Sequence, residues 1–241
     1  MKNNKTIGWL LIAGAIGVFI PYTMLTITFE YPDILRQDTG IILTKFHEGG
    51  SKLIFTWFAF ALVGIPLLPA YILIGTKLEN KSSLARVATT IGVIGLIVQM
   101  IGLLRWTFVV PVLADAFVNA TNDTTRTAAI VTFKTIHQFA GVLLGEHLGQ
   151  LFTIIWTGLI SISFSRLKLF PKWVNLLGVV SAFIYLLAQA ELLSTVIPGF
   201  PVWELAGFIG STLWLIWLLI IGIRFLQLKH APDITTKAIT A

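Results

Sequence analysis

The sequence predicts an all-α fold, a polytopic integral membrane bundle of six transmembrane helices with both termini in the cytoplasm. Three observations carry this. Hydrophobic residues make up 56% of the 241-residue chain and charged residues only 12%, where a soluble domain carries about 25% charged residues. Six runs are long and apolar enough to cross a hydrocarbon core of about 30 Å, which takes roughly 20 residues. Lysine and arginine, finally, are distributed unevenly over the connectors between those runs. The net charge of +6 sits in ends and connectors rather than on a basic face, which argues against a nucleic-acid partner. The absence of cysteine excludes disulfides, thiolate nucleophiles and Cys-ligated metal centres.

In chain order, the spans are predicted at residues 7–29, 53–75, 87–112, 136–161, 174–197 and 203–225. The first follows Lys2, Asn3, Asn4 and Lys5 and so imitates a signal peptide. It is too long for a signal h-region and has no small-residue cleavage site after it, which predicts a retained anchor. The connector 30–52 mixes acids with the apolar pairs Ile34-Leu35 and Ile41-Ile42, a composition suited to lying on the bilayer surface. The third and fourth runs stay helix-compatible through 114–120 and 127–135 and are expected to project from the membrane. Turn chemistry marks the remaining breaks at Asn80-Lys81-Ser82-Ser83, Asn122-Asp123, Pro171 and Pro198-Gly199-Phe200-Pro201. No linker is long enough to divide the chain, so a single domain over 1–241 is expected. Pro21, Pro66, Pro69 and Pro111 should kink spans one to three.

With the N-terminus inside, eleven of the Lys and Arg residues fall in inner segments and five in outer ones, while Arg105 lies within a span. That asymmetry sets the orientation. Trp9 and Trp173 would then lie at the inner interface and Trp57, Trp106 and Trp203 at the outer one, as an aromatic belt.

Ionisable residues inside a membrane are costly and mark candidate sites. Arg105 stands in the outer third of span three, from which its long side chain can either snorkel to the headgroups or turn inward. Glu146, near the middle of span four, is too short to reach water, so it must pair, take up a proton or line a wet cavity. At about 100° per residue, Gln150, Thr153 and Thr157 share its face. Gly141, Gly145 and Gly149 form an adjacent stripe of small residues suited to close helix approach. Span three offers the matching face, with Gly92, Gly95, Gln99, Gly102 and Arg105. An Arg105–Glu146 pair is geometrically open but strained, since the two differ by roughly 10 Å in depth.

His147 lies about 100° from Glu146 and His137 about 180°, away from its face; His137 is expected at the level of the headgroups. On span five, Asn175, Gly178, Ala182, Tyr185 and Gln189 share a face. Glu191 and Glu204 flank the last outer turn as solvated loop ends. No metal-ligating or nucleophilic constellation emerges: His47-Glu48 lacks the second histidine of a zincin motif, and no pair of facing spans offers two histidines to a haem. No cofactor is expected.

These residues also suggest a family. The segment Arg105-Trp106-Thr107-Phe108 through Pro111, then His137-Gln138, then Gly145-Glu146-His147 through Gln150 to Trp156, then Pro171-Lys172-Trp173 with Gly178, together resemble the domain of unknown function DUF4386. That is a group of small bacterial six-helix membrane proteins. The resemblance covers most of the chain. It implies a multi-pass protein of a bacterial plasma membrane, and it brings no catalytic residues with it.

Three functions compete. A small-solute or proton-coupled transport or binding protein would use Arg105, Glu146, Gln150, Gln99, His147 and Gln189 as its substrate or proton site. An accessory or sensory membrane protein would use the same polar core only to fix helix packing. A lipid-directed membrane enzyme would need Glu146 and His147 as acid and base. The expected partners are the bilayer and a small molecule or proton, with the oligomeric state open.

Overall fold

The computed structural model describes residues 2–228, and within them the fold is helical throughout, with no strand. Six helical stretches are long and apolar enough to cross a membrane: Asn3–Phe29, Thr39–Leu78, Ser83–Val118, Asp123–Arg166, Lys172–Ser194 and Ala206–Gln227. The predicted spans fall inside these stretches, apart from the first three residues of the sixth and the last three of the fifth. Lys229, His230 and Lys237, which enter the sequence reading, lie outside the described residues.

Most stretches are broken, and the breaks follow from the residues. In the first, α1 (Lys2–Gly17) gives way to α2 (Phe19–Phe29) three residues before Pro21, whose missing N–H and ring disrupt the preceding turn. In the second, α3 (Thr39–Leu62) and α4 (Leu67–Leu78) flank a turn that ends at Pro66. The third divides at Val109 into α5 (Ser83–Phe108) and α6 (Val110–Val118), with Pro111 in the first turn of α6. The fourth runs from α7 (Asp123–Ile136) through a π-helix (His137–Leu148) into α8 (Gly149–Arg166). The fifth comprises α9 (Lys172–Leu187) and α10 (Gln189–Ser194), and the sixth is α11 (Ala206–Gln227).

Successive stretches pack side by side, and the last returns to the first: α1 lies against α4 and α11, α5 against α4 and α8, and α9 against α8 and α11. The result is a ring of six, antiparallel in order. Small residues set its tightest seams. A Cβ on Gly102 would come within 2.5 Å of the Gly145 Cα, and one on Gly210 within 2.5 Å of the Tyr185 Cα. The matching of spans three and four expected from their glycines is thus realised, Gly102 facing Gly145, Gly149 facing Gln99, and Gly141 facing Arg105.

The ring has two ends, one carrying both ends of the described chain (the terminal face) and one opposite (the distal face). The terminal half is filled by Tyr71 stacked on Trp156 at 3.5 Å, with Trp217, Phe164, Phe170 and Phe225 around them. The distal half is walled by Trp57 stacked on Trp106 at 4.7 Å, with Phe29 and Phe46 edge-on or stacked against them.

Two expectations change here. Trp57 and Trp106 are fully buried and form that wall rather than an interfacial belt, whereas Trp9, Trp173 and Trp203 are exposed as a belt requires. The connector 30–52 is not an amphipathic layer of its own: Ile34, Ile42 and Leu43 are buried in the distal cluster, because α3 begins at Thr39 and packs on α6 and α7. Asp38 caps that helix by accepting the Gly40 N–H. Gly50, at φ 52° and ψ −151°, then kinks α3 between its cap-forming and apolar parts, a left-handed conformation that glycine adopts without a Cβ penalty. The segments 114–120 and 127–135 fall largely in α6 and α7, which pack on α3 and on each other as part of the distal cap.

Candidate functional site

Arg105 is held by the last turn of α5 and is only 6% exposed. It neither snorkels nor forms an ion pair with Glu146; no acid oxygen lies within 4.0 Å of it among the described residues. Its Nη1 donates to the Gly102 carbonyl, its guanidinium lies 5.2 Å from the Trp106 ring centroid, and Gly141 opposite leaves the room it occupies. A cation over an indole face is stabilised by the ring quadrupole, more so away from water. Arg105 and Glu146 remain within electrostatic range of each other.

Glu146 lies on the π-helix, between the levels of Gly102 and Gln99. Its carboxylate accepts no hydrogen bond from the described residues, yet neither oxygen is sealed off; the side chain is half-buried. The same holds for the phenol oxygens of Tyr22, Tyr31 and Tyr185. Tyr31 and Tyr185 each stand within electrostatic range of Glu146, and the Tyr22 ring packs edge-on against Tyr31 at 5.8 Å. Burial pushes the Tyr31 phenol above its ordinary range; the Glu146 charge pushes the same way and Arg105 pushes back. Unpartnered polar groups at this depth are expensive unless they share a ligand or water.

Tyr31 reaches this place because the first connector crosses the distal face. Glu30 ends α2 in a left-handed conformation, at φ 56°. The Tyr31 ring then seats on Trp57 and Phe60. Further on, Arg36 in a short 3₁₀ turn (Asp33–Arg36) bonds Glu191 at the end of span five. That bond, together with Asp33 and Glu204, raises the Arg36 pKa against the opposing pull of partial burial. Lys45 pairs with Glu30, and Gln138 donates to Thr195 at 3.0 Å. Glu191 is therefore a tie point rather than a free loop end.

The other candidates divide into two groups. His147, Gln189 and Gln150 form one chain: His147 Nδ1 lies 2.8 Å from Gln189 Oε1, and Gln189 Nε2 donates to Gln150 at 3.1 Å. Gln99 belongs elsewhere, donating to Thr153 at 3.3 Å across the α5–α8 seam. Thr153 and Thr157 spend their hydroxyls on the carbonyls of Gly149 and Thr153, so the polar stripe below Gln150 is closed.

The wheel missed His137. Among the described residues a π-helix spans the twelve residues His137–Leu148, and a helix closed by i→i+5 bonds turns by less than about 90° per residue. Over the nine residues from His137 to Glu146 that shift removes about 90° of the expected separation. His137 accordingly turns inward rather than to the headgroups, stacked on Phe133 at 5.4 Å and edge-on to Trp106 at 6.1 Å, within range of the Arg105 charge. Tyr31 had no sequence signal, since nothing in a connector announces that its ring returns to the bundle.

A family model described as a domain of unknown function (DUF4386) matches residues 6–222, nearly the whole chain. The chain belongs to the DUF4386 family. No curated protein and no solved structure matches it. Membership in DUF4386 agrees with an integral membrane protein and names no activity.

Proposed function

We propose that this DUF4386 protein is a small-solute binding or transport protein whose site lies in the distal half of the ring, with Glu146 as its charged centre. One observation supports this above the others. A carboxylate and the phenols of Tyr31 and Tyr185, on three separate elements, lie within electrostatic range of one another, without hydrogen-bond partners among the described residues and without being sealed. Elsewhere in the core Gln99 pairs with Thr153 and His147 with Gln189, while the unpartnered Tyr71 hydroxyl and Trp156 indole N–H are sealed inside the terminal half. In this reading Arg105 holds the Glu146 charge in place from behind, and Gln150, Gln189 and His147 extend the site along spans four and five. An enzymatic role has less support, because His147 is engaged with Gln189 rather than with Glu146.

The test is a thermal-shift screen of amines, amino acids, carboxylates and sugars on the detergent-purified protein and on Glu146→Gln. A solute that stabilises the first and not the second supports the assignment. Equal responses of the two proteins to every stabilising solute, or no response to any, would assign the polar core to packing.

In the same reading the six spans act as one unit in a bacterial plasma membrane, with the terminal face cytoplasmic. The support is the excess of Lys and Arg on that face. Reporter fusions at Asn80 and Ser165 should read cytoplasmic and those at Asp123 and Gly199 external; opposite signals at any two of these sites would overturn the topology.

A further inference from the structure

We infer that the terminal face carries a docking site for an anionic phospholipid, its phosphate held by Arg224 and Lys172 beside Trp173 and an acyl chain lying along the outer face of α9. The site is separate from the one around Glu146 and does not rest on the solute-binding reading.

The terminal face is basic and largely unneutralised. Among the described residues its acid is Glu79, which Arg86 approaches to 3.7 Å. Arg166, Lys168, Lys172 and Arg224 form no ion pair there. These four are gathered on one side of the ring. Arg166 lies in the last turn of α8, Lys172 opens α9, and Arg224 lies in the last turn of α11. Because α9 packs between α8 and α11, three neighbouring helices bring cations to one level. Arg224 is the best shaped of them for a phosphate. Its guanidinium carbon lies 5.8 Å from the Trp173 ring centroid, and its one hydrogen bond, from Nη1 to Gln227, is long at 3.5 Å. A guanidinium has five N–H donors in a planar fork that matches phosphate oxygens in pairs, so most of that fork is left for a ligand.

What continues from the charges makes the ligand a lipid. Trp173, 51% exposed, heads a stripe that runs down α9 through Leu176, Val180 and Phe183, all exposed, at helical spacings of three and four residues. The opposite face of α9, with Val174, Asn175, Gly178 and Ser181, is the buried one. An indole at the head of such a stripe suits the boundary between headgroups and hydrocarbon. A free anion would use the charged end alone, and an acidic protein would have no use for an apolar stripe at membrane depth. An anionic phospholipid uses both, and basic pockets between helices at a membrane surface are suited to such headgroups.

The probe is dioleoyl phosphatidylglycerol, added to the full-length protein in a neutral detergent. It should raise the melting temperature in a saturable manner, and the gain should shrink at about 0.5 M salt, where the screening length falls below about 5 Å. Dioleoyl phosphatidylcholine, which has no net charge, and glycerol 3-phosphate, which has no chains, should give no such gain. Each variant is compared with itself free of lipid, so a change in its own stability does not count. The double variant Arg224→Gln, Lys172→Gln should bind phosphatidylglycerol at least about tenfold more weakly, one basic residue at a membrane surface being worth about fivefold. Trp173→Leu should bind several-fold more weakly. The double variant Lys77→Gln, Lys81→Gln removes the same charge across the ring, at the end of span two, and should bind within about twofold of the parent. Equal weakening by the two double variants would reduce the effect to a general attraction between lipid and basic face and overturn the site. An undiminished response in Arg224→Gln, Lys172→Gln would overturn it as well, as would an equal gain from phosphatidylcholine or glycerol 3-phosphate.

Discussion

The two halves of the ring are built from similar materials to opposite ends. In the terminal half, Tyr71, Trp156 and Trp217 fill the axis, and α1 closes the ring along α11. The Trp217 indole donates to the Val174 carbonyl at 3.0 Å, and Thr153 and Thr157 turn their hydroxyls onto their own helix. In the distal half α2 makes its extensive contact with α3 instead of continuing along α11. The aromatic residues there form a wall on the side of spans two and three, on which the Tyr31 ring itself packs, and the Glu146 acid and the phenols of Tyr31 and Tyr185 find no hydrogen-bond partner among the described residues. Stacked aromatic rings seal an axis when the helices converge on it. When one helix turns aside at a break such as Val18, the same rings line an edge instead of filling the axis.

The comparison can be broken most directly at the seam that both halves share. Gly102→Leu should have the largest effect, since its Cβ would meet the Gly145 backbone at 2.5 Å, and backbone cannot rotate away. Overpacking of this kind costs about 3 kcal/mol or more, read as loss of monodisperse protein or a large fall in melting temperature. Gly145→Leu, whose nearest neighbour is at 3.3 Å, should cost less, and Leu143→Ala on the 42% exposed face least of the three. If Gly102→Leu melts like the parent, the seam is not where the two spans meet.

Next in size are the two charges of the distal half, Arg105 and Glu146, which lie within electrostatic range without forming an ion pair. Arg105→Ala strands a carboxylate near the middle of the bundle and should cost about 2–4 kcal/mol, with Glu146→Gln the milder change. The double variant should recover about 1 kcal/mol of the Arg105→Ala loss, obtained from the unfolding curves as a coupling energy. Strict additivity would show that the two charges do not sense one another.

A pair of hydroxyl and indole deletions sharpens the contrast between sealed and open halves. Trp217→Phe removes a satisfied hydrogen bond in the terminal half and leaves the Val174 carbonyl without its donor, for a loss of about 1–3 kcal/mol. Tyr185→Phe removes a hydroxyl with no partner among the described residues and should change stability by less than about 0.5 kcal/mol. Equal losses would mean that the Tyr185 hydroxyl is bonded in the folded protein.

A similarly small effect on stability belongs to the strap over the distal face. Arg36 is solvent-exposed, and such ion pairs contribute about 0–1 kcal/mol, so Arg36→Ala should melt close to the parent. Its consequence is access: labelling of Glu146 by a hydrophobic carbodiimide, followed by mass spectrometry, should be faster in Arg36→Ala. An unchanged labelling rate would mean that the connector does not restrict the path.

Composition and hydropathy were sufficient for the class of fold, because the cost of burying backbone and charge in hydrocarbon leaves few solutions and each span must satisfy it locally. The number of spans and the facing glycines of spans three and four followed from that constraint and from regular helical spacing. Side-chain destinations that depend on other elements did not. Trp57 and Trp106 have the composition of an interfacial belt and became a buried stack because α3 and α5 bring them face to face. His137 was placed on the wrong side by a uniform wheel, since i→i+5 winding from His137 to Leu148 slows the rotation of the face. Tyr31 lies in a connector, and only the path of that connector from Phe29 across to Glu191 carries its ring back to the acid. Glu146 could be named from sequence as a residue that must be satisfied, because its depth and short side chain are local facts. What stands around it was decided by where other segments pass, among them those of Tyr31, Arg105 and Tyr185, which is a property of the assembled ring.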